Sequence, residues 1–166
     1  VVVKGDIMRP ETFEIYLPNK EVVISAIGKN SLKKTTLYSN GNKNLLIAMK
    51  KMGTPRAFFI SASGLGVNPS HTLLIRLVTR YILQKLLKNR YADLERMEKI
   101  IKASDVNWTI MRPPKLIDAA VTGSYRFAVS SFLKHGLRIS RADVAHFMLN
   151  NITNDAIYKK TVEVAY

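Results

Sequence analysis

Ser61 and Ser63 are the side chains whose place in the sequence first indicates a site of chemistry. They follow the continuous apolar run Ala57-Phe58-Phe59-Ile60, which predicts a buried strand covered on both faces by helices. In open α/β sheets, ligands bind outside the carboxyl ends of the strands, so we expect the two hydroxyls at the ligand-binding edge. The alternative that the sequence leaves open is that they only cap a turn.

Two further predicted strands end in residues suited to the same edge. The strand predicted over 21–28 closes on Ser25-Ala26-Ile27-Gly28, and small residues of this kind let a ligand approach the backbone. The strand predicted over 107–112 is closed by Pro113-Pro114, which cannot continue a ladder of hydrogen bonds.

The elements that must position these strand ends alternate along the chain. Strands are predicted over 1–7, 21–28, 56–61, 107–112, 125–129, 137–139 and 161–165, and helices from Pro10 and over 36–52, 71–88, 91–104 and 144–152. Gly53 and Pro55 give the stop signal between the helix 36–52 and the next strand. The alternation predicts an α/β fold with a doubly wound parallel sheet, in a single domain over residues 1–166.

Two of the predicted helices raise questions of their own. The helix 71–88 has an apolar side too wide for one core face. We favour burial between the sheet and a neighbouring segment, and the alternative is a lid or a subunit contact. The stretch Ser140-Arg141-Ala142-Asp143 resembles a capping box before the helix 144–152, so we assign Ser140 and Asp143 to a helix cap.

Composition restricts the classes of function. The chain has 166 residues, 47% of them hydrophobic, and a net charge of +14. Cysteine is absent and His71, His135 and His146 are scattered, so we expect no disulfide, no thiol nucleophile and no metal site. The basic residues are spread along helices without interleaved stacking aromatics, which predicts a solvated basic surface that favours phosphate-bearing small ligands. A nucleic-acid partner is the alternative.

The apolar run 72–87 is the only stretch that invites a membrane interpretation. Arg76, Arg80 and Lys85 interrupt it well short of a spanning segment. We therefore expect no membrane partner and a cytoplasmic location, and the sequence leaves the oligomeric state open.

Seven stretches together have an order and spacing that is more specific than any one motif. They are Gly5-Asp6-Ile7, Ser25-Ala26-Ile27-Gly28, the helix from Thr36-Leu37-Tyr38, Ile60-Ser61-Ala62-Ser63, Tyr91-Ala92-Asp93-Leu94, Trp108-Thr109-Ile110-Met111-Arg112-Pro113-Pro114 and Ile139-Ser140-Arg141-Ala142-Asp143. Over nearly its whole length the chain resembles the atypical short-chain dehydrogenases/reductases. Within them it is similar to the NmrA-like, NAD(P)H-dependent flavin reductase or biliverdin-IX-beta-reductase type. The resemblance implies a Rossmann-type, three-layer αβα domain that binds NADPH or NADH.

The resemblance also implies which residues bind the adenosine half of the cofactor. Asp6 and Ile7 match the pair that lies beside the adenine in this family. Ala26 and Gly28 match the strand end that passes close to the ribose and pyrophosphate.

At the nicotinamide half, the resemblance implies a second set of residues. Arg112, Pro113 and Pro114 match the strand end that supports the carboxamide side of the nicotinamide. Ser61 matches a cofactor-binding serine, and Ser63 matches the serine that faces both the nicotinamide and the substrate. Ser63 is therefore a candidate catalytic residue, as is Tyr91, which matches the family's tyrosine.

The residue four positions after Tyr91 departs from the family pattern. A lysine there lowers the tyrosine pKa, but Glu95 stands in its place, and a carboxylate raises the pKa of a nearby tyrosine. Hydride transfer to a flavin or quinone does not need this proton-donor pair, because the reduced ring can take a proton from water. We therefore expect an NAD(P)H-dependent reductase of a flavin, a quinone or a similar planar acceptor, with flavin as a substrate.

Two alternatives remain besides a nucleic-acid binder. One is an NmrA-like regulator that senses NAD(P) without turnover. The other is a carbonyl or sugar-nucleotide reductase, for which lysine was expected at position 95.

The family's Gly-x-x-Gly-x-x-Gly turn, which holds the pyrophosphate at a helix N-terminus, does not occur in the sequence. Gly64-Leu65-Gly66 follows the strand 56–61 and is not expected to open a phosphate-binding helix. We expect the sequence to be a fragment, preceded by roughly 40 residues, about one βαβ unit plus a helix. In the strand order 3-2-1-4-5-6, the Val1 strand would lie at one edge and the Val22 strand near the middle, with two absent strands between them.

Overall fold

A computed structural model describes residues 1–29 and 31–166. Its strands are β1 (Val22–Ser25), β2 (Arg56–Ile60), β3 (Asn107–Met111), β4 (Lys115–Ile117), β5 (Arg126–Val129), β6 (Arg138–Ser140) and β7 (Lys160–Ala165). Its α-helices are α1 (Leu37–Met52), α2 (Leu73–Val78), α3 (Gln84–Leu86), α4 (Lys88–Lys102) and α5 (Arg141–Asn150). A π-helical turn, Thr79–Leu83, joins α2 to α3, and single 3₁₀ turns lie at Pro10–Thr12, Glu14–Tyr16, Ser63–Leu65 and Asp155–Ile157.

Five strands form the main sheet in the order β1-β2-β3-β7-β5. The first four are parallel to one another, and β5 runs antiparallel to β7 at the far edge. A separate two-stranded parallel sheet pairs β4 with β6, and β4 was not predicted from the sequence.

Helices cover both faces of the main sheet. Phe59 points to the face where α1 and α4 pack, and lies in one core with Met49 and Met97. Phe58 points to the opposite face, where it packs with Phe147 of α5. Successive side chains of a strand alternate between faces, so a strand buried on both faces must be apolar throughout. This confirms the predicted Rossmann-type fold with a helix layer on each side of a mostly parallel sheet.

One expectation about the start of the chain is wrong. Val1 to Ile7 is not a strand, and within the described residues its one bridge is an isolated pair between Asp6 and Arg9. β1, which includes Val22, lies at one edge of the sheet that the described residues form, and the two strands expected beside it are not among these residues. A strand needs a neighbour to satisfy its backbone groups, and within the described residues no strand pairs with the outer edge of β1.

The predicted burial of the helix 71–88 is also wrong. The helix is interrupted by the π-helical turn, and Leu74 and Ile82 are 71% and 61% exposed. Only one side of it packs against the protein, where Leu83 contacts the core formed by α1, α4 and the sheet.

Carboxylates and glycine fix the helix ends. Gly53 adopts the left-handed conformation (φ 75°) that ends α1, as its position after Met52 predicted. At the other end of α1, buried Asp93 accepts hydrogen bonds from the Tyr38 N–H (2.9 Å) and the Ser39 hydroxyl (2.5 Å). The N-terminus of α1 is therefore capped by Asp93, a residue of α4.

Asp143 ties three parts of the chain together on the other side of the sheet. Its side chain is fully buried and accepts hydrogen bonds from the N–H groups of Thr122 and Gly123 and from the hydroxyl of Tyr166. The Ser140 hydroxyl accepts from the Asp143 N–H (2.9 Å), which confirms the predicted helix cap. Burial alone would raise the pKa of Asp143, but these hydrogen bonds hold it well below its usual range.

We expect Asp143→Asn to lower the free energy of unfolding at pH 7 by about 2–3 kcal/mol, since hydrogen bonds to a charged group are worth more than neutral ones. A depressed folded-state pKa gives stability that is present above the unfolded-state pKa of about 3.9 and is lost as the pH falls below it. The difference between wild type and variant should therefore be full at pH 6–7 and shrink below about pH 4. Urea unfolding across this pH range measures it.

Asp118→Asn is the matched control, because Asp118 is an exposed carboxylate in the same region whose ion pair with Arg141 lies on the surface. It should leave the unfolding midpoint nearly unchanged. A difference for Asp143→Asn that stays constant with pH would show that the charge of Asp143 is not what stabilises the fold.

Candidate active site at the strand ends

A cavity with a volume of about 750 Å³ opens at the carboxyl ends of β1, β2 and β3. Its floor is made by the residues that follow these strands, 26–28, 61–64 and 113–114. Its wall is made by helical side chains, among them Tyr38, Ile75, Leu83, Tyr91 and Leu94. The parallel strands therefore deliver polar backbone and hydroxyl groups to one side of the cavity, and the helices deliver apolar groups to the other.

Backbone hydrogen bonds hold the ends of β2 and β3 in register beyond the strands themselves. The Ser61 N–H donates to the Met111 carbonyl (2.8 Å), and the Ser63 N–H donates to the Pro113 carbonyl (3.1 Å). The two strand ends thus form one continuous edge of the cavity.

Glu98 of α4 anchors this edge from below and was not recognised from the sequence. Its buried carboxylate accepts from the Ser61 hydroxyl (2.7 Å) and from Arg112 through Nε (2.9 Å) and a second guanidinium nitrogen (2.5 Å). Lys102, one turn further along α4, adds a fourth contact at 3.1 Å. A single carboxylate therefore joins the end of β2, the end of β3 and the helix that covers them.

The balance of forces on Glu98 keeps it ionised. Burial alone would raise its pKa, but the hydrogen bonds and charge of Arg112, with Ser61 and Lys102, lower the pKa below its ordinary value. The bidentate geometry with Arg112 is the form of ion pair that is strongest in proteins.

The structure brings most of the predicted site residues together in the cavity. Those that line it are Ala26, Gly28, Ser61, Ser63, Tyr91, Pro113 and Pro114. Those that do not line it are Asp6, Ile7 and Arg112.

The three residues outside the cavity have other contacts. Arg112 turns its guanidinium to Glu98. Asp6 is half-exposed and accepts from the Met8 N–H, 2.9 Å away. Ile7 packs against α1 at Gly41, where Ile27 of the cavity floor also lies. The Asp6-Ile7 pair is therefore a neighbour of the cavity rim rather than part of the cavity lining.

Tyr91 lies in the cavity wall, and its hydroxyl sits against the backbone of Gly64. A Cβ at position 64 would overlap that hydroxyl, so the close approach requires glycine. Burial raises the pKa of Tyr91, and the charge of Arg90 opposes the shift. Glu95, which the sequence argument held responsible for a raised pKa, is exposed on α4 and lines a different, shallower depression with Lys99.

Tyr38, His71 and Arg90 are among the cavity residues that the sequence argument did not name as site residues. The Tyr38 hydroxyl accepts from the Lys29 N–H (3.0 Å) and so fixes the loop after β1. His71 was discounted because the three histidines are far apart in sequence, and a lone side chain in a loop gives no periodic signal. Arg90 precedes Tyr91 directly, and its charge was counted with the surface.

His71 and Arg90 each carry a buried nitrogen without a hydrogen-bond partner among the described residues, Nε2 and Nε respectively. Burial lowers the pKa of His71, and the nearby His135 lowers it further, so the ring is neutral at pH 7. Buried polar atoms without a partner are rare because each costs free energy, so these two nitrogens are candidate contacts for a ligand.

The charge of the cavity favours an anion. Arg90, Lys115 and Arg141 line it, and Glu163 is the acidic side chain of the lining. Burial raises the pKa of Glu163, and the Leu133 N–H donates to its carboxylate (2.9 Å), which lowers it. In the part of the chain that the structure describes, no group of three acidic or histidine side chains is placed to hold a metal ion.

Comparison with known proteins identifies the class. Residues 1–155 match the family described as NAD(P)H-binding. A short-chain dehydrogenase/reductase of Veillonella parvula in complex with NADP superimposes with a TM-score of 0.78 at 17% identity, covering 100% of this chain and 72% of that chain. ChuY of Escherichia coli O157:H7, an anaerobillin reductase, superimposes with a TM-score of 0.74 at 18% identity, covering 97% of this chain and 72% of that chain.

The chain belongs to the NAD(P)H-binding family, as the resemblance implies, and its fold is similar to that of a short-chain dehydrogenase/reductase. The cavity fits the cofactor on three counts: its position at the strand ends, its cationic lining and the orphaned Nε of Arg90. At Gly28 the cavity leaves space for a ligand beside the backbone, since no atom lies within 4 Å of where a Cβ would be.

We expect Glu98→Ala to lower the free energy of unfolding by about 2–3 kcal/mol, because it leaves the Arg112 guanidinium and the Ser61 hydroxyl without their partner. Lys102→Ala removes a contact to the same carboxylate, but Lys102 is 45% exposed, so we expect a change of no more than about 1 kcal/mol. Urea unfolding at pH 7 compares the two. Equal effects would show that Glu98 acts as an ordinary surface charge and does not anchor the strand ends.

Proposed function

We propose that this protein is an NAD(P)H-dependent reductase that transfers hydride to a flavin, a quinone or a similar planar acceptor. The observation that carries the proposal is the two-sided cavity, which has a volume of about 750 Å³. Ser63 and the strand ends line one side of it, and an apolar wall lines the other. Bound NAD(P)H would supply the hydride, and the protein's contribution is to orient two flat rings in a shielded space.

Several residues of the chain are suited to holding the cofactor. Arg90 offers a buried donor and a positive charge to a phosphate. Gly28 lets the cofactor approach the backbone at the end of β1. The Pro113-Pro114 edge and Ser63 lie at the adjoining strand ends, where the resemblance places the nicotinamide.

The chemistry of the wall favours a planar acceptor over an alcohol or ketone. Protonation of a carbonyl needs an acid with a pKa near the working pH. Burial raises the pKa of Tyr91, and Glu95 stands four residues later in place of the family's lysine. His71 is neutral and can donate a hydrogen bond to a ring nitrogen or oxygen, which orients an acceptor without having to protonate a ketone.

The wall itself is apolar. Ile75, Leu83, Leu87, Leu94 and Leu116 line the cavity. Such side chains shield a ring from water and leave its recognition to shape and stacking. The anaerobillin reductase ChuY, which shares the fold, is named for a reductase activity, and that similarity supports the general class.

One absorbance assay tests the proposal. NADPH and NADH are each supplied with a flavin, a quinone, a tetrapyrrole, an aldehyde and a ketone, and oxidation is followed at the cofactor's absorbance band. We expect turnover with at least one planar acceptor and none with the aldehyde or ketone. Cofactor binding without turnover on any acceptor would favour the NmrA-like sensor instead, and turnover of the ketone alone would favour a carbonyl reductase.

Ser63→Ala should lower kcat by about threefold to tenfold with little change in the Kd for NADPH, the loss expected of one hydrogen bond that orients the acceptor. Ser61→Ala is the matched control. Its hydroxyl is engaged by Glu98, so the substitution should lower stability rather than kcat. Steady-state kinetics and cofactor titration give both quantities, and an unchanged kcat for Ser63→Ala would return both serines to a structural role.

Arg90→Ala should weaken NADPH binding by about tenfold or more, because a charged donor contributes roughly 1.5–3 kcal/mol. Arg90 also donates to the Lys29 carbonyl (3.0 Å), so a control must remove a loop contact without altering the cavity. Asn89→Ala does this, since Asn89 donates to the Leu32 carbonyl (2.8 Å) and does not line the cavity. Titration of NADPH fluorescence distinguishes them, and equal losses in both variants would mean that only the loop matters.

A further inference from the structure

The helical segment of residues 73–86, made of α2, the π-helical turn and α3, has an outer face that the proposed function does not use. This face carries seven large hydrophobic side chains that are between 43% and 71% exposed: Leu73, Leu74, Leu77, Val78, Tyr81, Ile82 and Leu86. A cluster of large exposed apolar side chains on one helical segment indicates an interaction site.

The inner side of the same segment is already occupied. Ile75, Thr79, Leu83 and Leu87 recur every fourth residue, are half-buried and line the cavity. The outer apolar residues are therefore not needed to build the core or the cavity.

The outer face is also strongly basic. Arg76, Arg80 and Lys85 are exposed on it, and Lys88, exposed just beyond the segment, adds a fourth cation. The charged ends of Arg80 and Lys85 lie 5.8 Å and 6.0 Å from the centre of the Tyr81 ring, so cations surround the aromatic side chain. The sequence contains no Asp or Glu between Glu21 and Asp93, so no acid on this stretch offsets the positive charge.

We propose that the outer face of residues 73–86 docks on an anionic phospholipid surface. An interfacial helix of this type combines exposed Leu, Ile and aromatic side chains with Lys and Arg, and its binding grows with buried apolar area and with attraction to anionic lipid. Tyr81 has the amphipathic ring that is enriched at membrane interfaces. Docking would place the cavity one helix away from the bilayer surface, and it goes beyond the proposed function without depending on it.

Charge argues against a second copy of this chain as the occupant. In a twofold dimer the same patch faces itself. The four exposed cations of each copy would then meet four like charges with no carboxylate from the segment between them. An anionic lipid surface satisfies both the apolar and the basic side chains.

No helix in residues 1–29 or 31–166 is long and apolar enough to cross a bilayer. Docking on the surface needs no such helix. The proposal therefore revises the expectation of no membrane partner, which rested on the absence of a spanning segment.

Co-sedimentation with vesicles tests the proposal. The whole chain is mixed with phosphatidylcholine vesicles or with vesicles containing 30% phosphatidylglycerol, at about 20 mM and 300 mM salt. We expect binding to the anionic vesicles only, weakened by salt. Leu74→Gln with Ile82→Gln should lower the partition coefficient about tenfold. Arg76→Gln, Arg80→Gln and Lys85→Gln together should lower it about a hundredfold.

Matched variants distinguish binding through the segment from non-specific attraction caused by the net charge of +14. The charge control replaces three exposed lysines elsewhere with glutamine: Lys20, Lys43 and Lys160. The apolar control replaces two exposed isoleucines elsewhere with glutamine: Ile15 and Ile47, which are 63% and 56% exposed. Both controls should bind within about threefold of wild type, and circular dichroism should show all variants folded.

Three results would overturn the proposal. The first is an equal loss of binding in the charge control, which would mean that any basic surface suffices. The second is unchanged binding of the segment variants. The third is a dimer in analytical ultracentrifugation that Leu74→Gln with Ile82→Gln dissociates, which would show that a second copy covers the face.

Discussion

The burial of β2 on every side is the constraint on which the rest of the structure depends. Its backbone is paired with β1 and β3, and Phe58 and Phe59 are fully buried on opposite faces of the sheet. A strand held at both edges and both faces cannot shift its register without moving every side chain to the wrong face. The residues that follow it, including Ser61 and Ser63, are consequently delivered to one fixed place above the sheet.

Two carboxylates on α4 hold the elements around the cavity in place. Asp93 caps the start of α1, and Glu98 holds Ser61 and Arg112 at the ends of β2 and β3. Because both carboxylates lie on the helix that also carries Tyr91, the wall and the floor of the cavity are joined through one rigid element. The buried charges are matched by hydrogen bonds, so they specify an arrangement more than they add stability.

Positively charged side chains are concentrated at two places in the structure. Inside the cavity, Arg90, Lys115 and Arg141 favour an anionic cofactor, and this attraction is local because the groups are close to the ligand. On the outer face of residues 73–86, exposed cations lie among exposed apolar side chains. One helical segment thus lies between the cavity proposed to hold a nucleotide and the face proposed to dock on an anionic lipid surface.

The sequence by itself determined the α/β alternation and most of the strands and helices, although not β4. The continuous apolar run before Ser61, the Gly53 and Pro55 stop and the Ser140 cap are local signals that agree with the fold around them. Only the tertiary structure decided which charged residues work together. Glu98 contacts Ser61 across 37 positions, and Arg90 and His71 become cavity residues only when α4 and the loop after β2 meet. It also decided that Val1 to Ile7 is not a strand and that residues 73–86 are exposed, because pairing and burial depend on what the chain places beside an element and not on the element's own composition.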